Sequence, residues 1–590
     1  MGWSGGPQIF SIKLIVLALS LYIVSGQAAE KRNLPQKIST NNYSTITDEA
    51  TYFHLLKEAD SLTFKNEFEA EILLLLDDDL KERYLNLPTL QDKKEFIIFF
   101  WKVQNPNPLL EQNDRLLDHL QRRLYARKNF PADTPPYYDD RGKYYVKYGK
   151  PFFRYRDRGG LRKINSLVTP TFSHYSVLPN ETWSYVNVRP NFVVNFAQKG
   201  SVYKEIKSLK DIIVGNRRRG RLIWYWSDLM KNRFWMSPLY NDAVTTIIDV
   251  ENTILSTIAR SPLLSSRNFI IRDNDIRFNT RRLEDELYSS LSFTDSETRR
   301  ASTDIPVAVY TPVRAKSKLP IKENIAQFKN PDGLTRLEIT LYSPMKKFLN
   351  RAVSIHQDSI FVEFSSLLRN KMYSTVDENR LKKKYAARDA IDWHLPETVG
   401  YLTLKAPPDS LDFFAQVKNE RNGKVGFLQK SLKVKDFSGK NLMVSDLQFY
   451  TTIEEEQQKA ILPWLEINGL TLAPYPFKKI HKSTPFYCYF EVYNLKSGGV
   501  TDEYEITYKV YNDKSSTSLF KKLTKWIGGE KERSISITQT QPVLEDMSQE
   551  LIALDLSNLP NGHYRLEVIV ADTKNPSIQA SVWREFRLEN

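Results

Sequence analysis

Asp139, Asp140 and Arg141 are the residues of this chain whose types and spacing best suit chemistry. Paired carboxylates can serve as general acid and base, or bind a cation. Carboxylates adjacent in sequence rarely point at one substrate, however. Helix-end charge and turn chemistry account equally for this pair and for Asp77-Asp78-Asp79. Geometry separates the readings. Two carboxylates about 5–10 Å apart across a concave pocket would favour an enzyme acting on an envelope polymer. An Arg141–Asp140 ion pair on a convex turn would favour a structural part.

Other chemical motifs are missing or degenerate. Gly142…Gly149-Lys150-Pro151 imitates a phosphate loop, but Pro151 stands where a Mg²⁺-binding hydroxyl belongs and the residues between are strand-like. No His-Glu-x-x-His pair, cysteine pair or Gly-x-Ser-x-Gly elbow occurs in the mature chain, so no cofactor or metal is expected. The seven histidines are scattered, and His119 reads as a surface or capping residue. The single cysteine, Cys488, alternates with Phe486, Phe490 and Val492 and reads as a core residue. Two basic runs, Arg217 to Arg221 and Lys382 to Lys384, suit contact with an acidic glycan or lipid.

The elements that position these residues follow from composition and pattern. The chain has 590 residues, 41% hydrophobic and 26% charged, with 31 Tyr, 31 Phe and 10 Trp. That is enough for about three or four domains with real cores, and the aromatics favour β-structure. The net charge of +14 attracts nucleic acid or an anionic membrane surface. Nucleic acid is set aside because the N-terminus reads as an export signal. Lys13 precedes an apolar run from Leu14 to Val24, and small residues follow. The run is shorter than the ~20 residues that span a bilayer, so a signal peptide over 1–29, cleaved near Gly26 to Ala29, is expected. An uncleaved anchor is the alternative. With one cysteine no internal disulfide can form, which suits a bacterial periplasmic or cell-surface protein.

The expected organisation is multidomain α+β and all-β. After a linker over 30–48, a helical and α+β domain covers 49–240. Thr89 and Asp92 make a capping-box start for an apolar helix centred on Phe96 to Trp101, which Pro106 ends. A leucine-rich helix follows, with Asp118 and Arg122 on its wet side. Gly142 is expected to supply a positive φ in a turn, and Tyr144, Val146 and Tyr148 one face of a strand. Strands are also expected at "ETWSYVNV", "NFVVNFA" and "RLIWYWSD". A connecting segment fills 241–303. Alternating strands with Asp332-Gly333, Asn422-Gly423 and Asn561-Gly562 turns predict two antiparallel β-sandwich modules, at 304–455 and 465–590.

The order of these motifs resembles the GWxTD-domain family of bacterial exported proteins. Phe100-Trp101 and Pro106 resemble the family's apolar helix and its stop. Asp140-Arg141-Gly142 matches the end of the signature, and Tyr148-Gly149 with Pro151 the element after it. Glu181, Trp183 and Tyr185 are similar to its "ETW-x-Y" strand. Where the family has Gly-Trp-x-Thr this chain has Pro136-Tyr137-Tyr138-Asp139. Tyr137 keeps an aromatic wedge, while Pro136 loses the freedom of Gly. "FKNPDGLTRLEITLYSP" and "LPNGHYRLEVIVAD" are similar to the β modules that accompany this domain. The resemblance implies a domain arrangement and no particular reaction. With no convergent catalytic set, the leading expectation is an envelope interaction or assembly protein with an unknown envelope protein or polymer as partner. The carboxylate enzyme and the binder of acidic surfaces stay open beside it.

Overall fold

A chain rich in apolar and aromatic runs builds two units in the computed structural model. It describes residues 43, 45–164, 174–215, 218–259, 269–303, 305–310, 319–348, 359–386, 397–453, 462–482, 485–512 and 535–589. The expected signal peptide and most of the linker lie outside these residues. No helix among the described residues is long and apolar enough to cross a membrane. The described residues up to Pro106 and from Gln112 to Tyr310 form an N-terminal unit. Those from Asn107 to Glu111 and from Leu319 to Glu589 form a C-terminal unit.

The N-terminal unit begins with short helices, most of them started by a side chain that accepts a first-turn N–H. Asp48 opens α1 (Glu49–Glu58) and Asp60 opens α2 (Ser61–Phe64). A π turn (Lys65–Glu69) continues into α3 (Ala70–Ile72). Asp77 caps α4 (Asp78–Leu85), so this acidic cluster is helix-end charge. Thr89 and Asp92 form the expected capping box on α5 (Leu90–Val103). Asn113 opens α6 (Asp114–Asn129), and Asp139 opens α7 (Asp140–Tyr148).

The strand expected over 144–148 is therefore part of a helix. Asp139 as N-cap and Gly149 just past the end (φ 77°) outweigh the alternation of Lys and Tyr.

A four-stranded antiparallel sheet follows, ordered β1 (Phe153–Asp157), β4 (Asn180–Ser184), β5 (Val193–Lys199) and β6 (Val202–Ile206). A small sheet joins β2 (Gly160–Lys163), β3 (His174–Val177) and β7 (Ile213–Val214). The "RLIWYWSD" run is not a strand but part of α8 (Arg219–Lys231). Ile223 to Met230 are buried without interruption, and a run buried on all sides has no period that separates helix from strand. Segment 241–303 is not a connector either. It supplies most of α9 (Pro238–Ala259) and α10 (Phe269–Ala301). Tyr240, Ile247, Leu287 and Leu291 from these helices share one core with Trp226, Leu229, Val193 and Ile213.

The C-terminal unit is all β. One sandwich packs a sheet of β8 (Lys322–Lys329), β9 (Thr335–Pro344) and β12 (Glu397–Ala406) on a sheet of β10 (Ser359–Arg369), β11 (Thr375–Ala386), β13 (Ser410–Asn419) and β14 (Val425–Lys433). Leu337, Ile339, Leu341, Val362, Phe364 and Phe413 fill the space between. Gly333 (φ 83°) and Gly423 (φ 66°) turn the β8–β9 and β13–β14 hairpins.

The second sandwich faces a six-stranded sheet of β15 (Met443–Val444), β16 (Gln448–Thr452), β17 (Leu465–Ile467), β18 (Leu470–Pro474), β20 (Tyr487–Tyr493) and β23 (Met547–Ala553) with a five-stranded sheet of β19 (Lys479–His481), β21 (Glu503–Asn512), β22 (Ile535–Pro542), β24 (Gly562–Asp572) and β25 (Gln579–Glu589). The module boundary falls earlier than residue 455. β16 pairs with β20, placing Gln448 to Thr452 in the second sandwich.

Candidate functional site

The candidate residues gather at the N-terminus of α7. Asp139 is buried, and its carboxylate accepts the backbone N–H of Arg141 (3.0 Å) and of Tyr203 (3.1 Å). It also takes the Arg141 guanidinium at 2.7 and 3.0 Å. Arg141 thus pairs with Asp139 and not with Asp140. The other end of Arg141 reaches Glu181 on β4 at 2.9 Å, and its flat face stacks 3.6 Å from the centre of the Tyr203 ring. Glu181 also accepts from Arg154 (2.8 and 3.1 Å) and from the buried Trp183 indole (2.7 Å). Burial raises the Glu181 carboxyl, but Arg154, Trp183 and Arg141 outweigh it and hold the group below its usual range.

Asp140 turns elsewhere. It pairs with Lys143 at 2.8 Å and accepts the Glu205 N–H at 2.9 Å. Tyr203 and Glu205 sit two apart on β6, which ends the four-stranded sheet. The two adjacent aspartates therefore cap alternate N–H groups along a sheet edge that would otherwise lie open. That explains a pair of neighbouring carboxylates without a shared substrate. Each is occupied by donors, and the arrangement fixes a turn against a sheet.

The glycines of the signature-like stretch follow from the same packing. Gly142 lies in the first turn of α7 and not at the positive φ expected from the sequence. A Cβ there would meet the Tyr138 ring at 2.6 Å. Tyr138, not Tyr137, is the deeply buried aromatic. Tyr137 is half-buried at φ 70°, with the Arg127 guanidinium 5.2 Å from its ring. Gly149 needs its positive φ, and a Cβ on it would also crowd Arg122 at 3.2 Å. Arg122 was expected on a wet face but is buried. It donates to the Lys147 carbonyl (3.2 Å) at the end of α7 and to Val309 (2.7 Å). Asp118 pairs with it at 2.9 Å. Tyr148 stacks edge-on against Phe192, and Pro151 is buried.

A second cluster, missed in the sequence, joins α6 to the π turn and α3. Arg123 contacts Glu67 (2.7 Å) and Glu71 (2.9 Å), and Arg127 contacts the same two acids (2.8 and 3.0 Å). His119 is buried rather than exposed, with Nε2 3.4 Å from Glu71 and its ring 5.0 Å from that of Trp101. Trp101 is fully buried, as expected of a packing residue, and Phe100 meets it edge-on at 5.1 Å. The helix bearing both stops at Val103, ahead of Pro106. Burial pushes His119 below its ordinary value. Burial also penalises the Glu71 carboxylate, yet Arg123 and Arg127 hold it down to about 2.

The basic runs fare differently. Asn216 and Arg217 lie outside the described residues. Arg219 pairs with Asp285 at 2.8 Å. Lys382 to Lys384 lie on strand β11. Lys382 already pairs with Glu420 (2.5 Å) and Glu363 (3.7 Å). Cys488 is fully buried on β20, and burial pushes its thiol up to about 12. We expect no labelling of the native chain by a thiol-specific reagent and rapid labelling after denaturation. Fast labelling of the native chain would show an accessible thiolate.

Among the described residues, no group of three or more His, Cys, Asp or Glu side chains is arranged to hold a metal ion. No family model matches the sequence, and no curated protein matches it. Among solved structures, 42% of the chain aligns with 26% of a Bacteroides uniformis beta-glucuronidase, at 10% identity and a TM-score of 0.15. Likewise 46% aligns with 16% of Escherichia coli alpha-2-macroglobulin, at 11% identity and a TM-score of 0.12. The chain thus spans about a quarter or less of each of these proteins. Similarities this low assign neither fold nor activity.

Proposed function

We propose that this chain is an exported, envelope-associated interaction or assembly protein of the GWxTD type, and that it holds an extended segment of a partner protein along β22. The observation that carries this reading is the character of that strand. β22, "ISITQTQP", ends its sheet, and among the described residues it pairs only with β21. Ser536 to Thr540 are exposed, with Ile537 45% accessible. The strand has no ionisable side chain, and its single proline is the last residue.

Natural sheets guard such edges with charge, proline, bulges or short strands. The other sandwich follows that rule. Its edge strand β11 carries Asp377, Glu378, Arg380 and three lysines, and β14 carries Lys430 and Lys433. In the N-terminal unit two aspartates cap the edge at β6. An edge left unpaired among the described residues, with main-chain donors and acceptors along it, is what strand addition uses. The export-signal reading at the N-terminus supports an envelope partner.

A photo-crosslinking residue at Thr538 or Thr540, in intact cells, tests this. A reproducible protein adduct is expected. Ile537→Lys with Gln539→Lys should lower its yield about tenfold by charging the edge. An edge that yields no adduct, or adducts indifferent to the two lysines, would sink the reading.

A further inference from the structure

We propose that the cleft between β5–β6 and the last turns of α10 binds a small polyhydroxylated ligand, a single sugar ring or the sugar at the end of a glycan. The cleft has a volume of about 240 Å³. That is just below the ~300–1,000 Å³ of pockets for drug-sized molecules, which limits the occupant to about one ring. Asp295, Thr298 and Arg299 of α10 form its polar wall, set against Val193, Asn195 and Ile206 of the sheet, with the backbone from Glu205 to Lys207 at its β6 margin.

Three features point to a ligand. First, Thr298 is only 5% exposed, and its hydroxyl has no hydrogen-bond partner among the described residues. A buried hydroxyl left unpaired costs about 1–3 kcal/mol, which a ligand hydroxyl would recover. Second, the opposite charges balance. Asp295 and Arg299 put one carboxyl and one cation on the same wall, so neither an anion nor a cation is favoured outright. Hydroxyl groups suit this wall, because each can donate to a carboxylate and accept from a guanidinium. Third, Asp295 offers the ligand an acceptor whose charge burial disfavours. Burial raises the Asp295 carboxyl to about 6 despite the Ser208 hydroxyl, Lys210 and Arg299.

The signature-like turn gains a purpose from this. Asp139 and Asp140 grip β6 at Tyr203 and Glu205, and the cleft wall runs on from Glu205 to Lys207. Tyr144 of α7 holds the Glu205 side chain on the face of the sheet opposite the cleft and so helps to fix β6. The turn thus positions one wall of the cleft while touching no ligand itself.

The test uses the whole mature chain. Saturation-transfer NMR and calorimetry would be run with glucose, galactose, N-acetylglucosamine and rhamnose as probes, and with choline as a cationic control. We expect a millimolar Kd for at least one sugar and none for choline. Thr298→Val keeps the side-chain shape and removes the hydroxyl. It should weaken that binding by about tenfold while leaving the melting temperature equal or higher, since no intramolecular bond is lost. Asp295→Asn should weaken it too. The proposal is overturned if no sugar binds, if choline binds in preference, or if both variants bind sugar as the parent does. Loss of partner adducts at β22 is a separate readout, so each proposal can fail alone.

Discussion

Glu71→Gln is expected to destabilise the N-terminal unit by about 3–5 kcal/mol, the usual cost of breaking a buried ion pair from one side. Glu71 is 3% exposed and meets Arg123, Arg127 and His119. A neutral amide leaves two buried guanidiniums sharing the single carboxylate of Glu67. Thermal unfolding followed by tryptophan fluorescence reads the change, because Trp101 stacks near His119. A melting temperature within about two degrees of the parent would contradict the cluster's importance.

The same cluster predicts the direction of the pH response. The Glu71 carboxyl is depressed in the folded state from 4.5 to about 2. Its contribution is complete above 4.5 and is lost as pH falls from there towards 2. His119 is also depressed, first by burial, with Arg115 and Arg123 repelling a charge there despite Glu71. The unfolded chain takes a proton near 6.5 that the folded chain refuses, so stability falls as pH drops below 6.5. Two acid steps are expected. Glu71→Gln should erase the lower one and keep the upper.

Much of this was readable in sequence, and the exceptions share a cause. Thr89 and Asp92 announced α5 because a capping box is local chemistry. Cys488 and the Asn422-Gly423 hairpin were legible because period and turn chemistry agree. α7 carried equally local signals, Asp139 before it and Gly149 after it, but the alternating Lys and Tyr between them imitated a strand.

The buried cluster left a subtler trace. Glu67 and Glu71 are four apart, as are Arg123 and Arg127. Like charges at that spacing repel on an isolated helix. Two such pairs of opposite sign are a hint that the faces meet. The leucines of α6 hid it by suggesting that the charged face was wet. The cleft had no trace at all. Glu205 and Asp295 are distant in sequence, and the segment bearing Asp295 looked like a connector because its Arg, Asp and Ser content masks Leu287 and Leu291.

Arg141→Met tests whether the signature-like turn is a clamp or a reactive site. The guanidinium joins two carboxylates that are almost wholly enclosed, Asp139 and Glu181, with 0% and 6% of their side chains exposed. Glu181 keeps Arg154 and Trp183 when Arg141 is lost. Asp139 keeps only N–H donors. The expected loss is about 3–5 kcal/mol. Arg141→Lys should recover a minor part, because one ammonium cannot span both acids or stack flat on Tyr203. The loosened Asp139 should also release β6, so amide exchange at Tyr203 should quicken more than at Val194 or Phe196 inside the sheet. A reactive arginine would behave differently, since its removal would leave the melting temperature and the β6 amides as they were. An unmoved melting temperature would therefore return Asp139, Asp140 and Arg141 to candidacy as catalytic groups. A large loss with selective release of β6 makes the turn the brace on which the cleft wall depends.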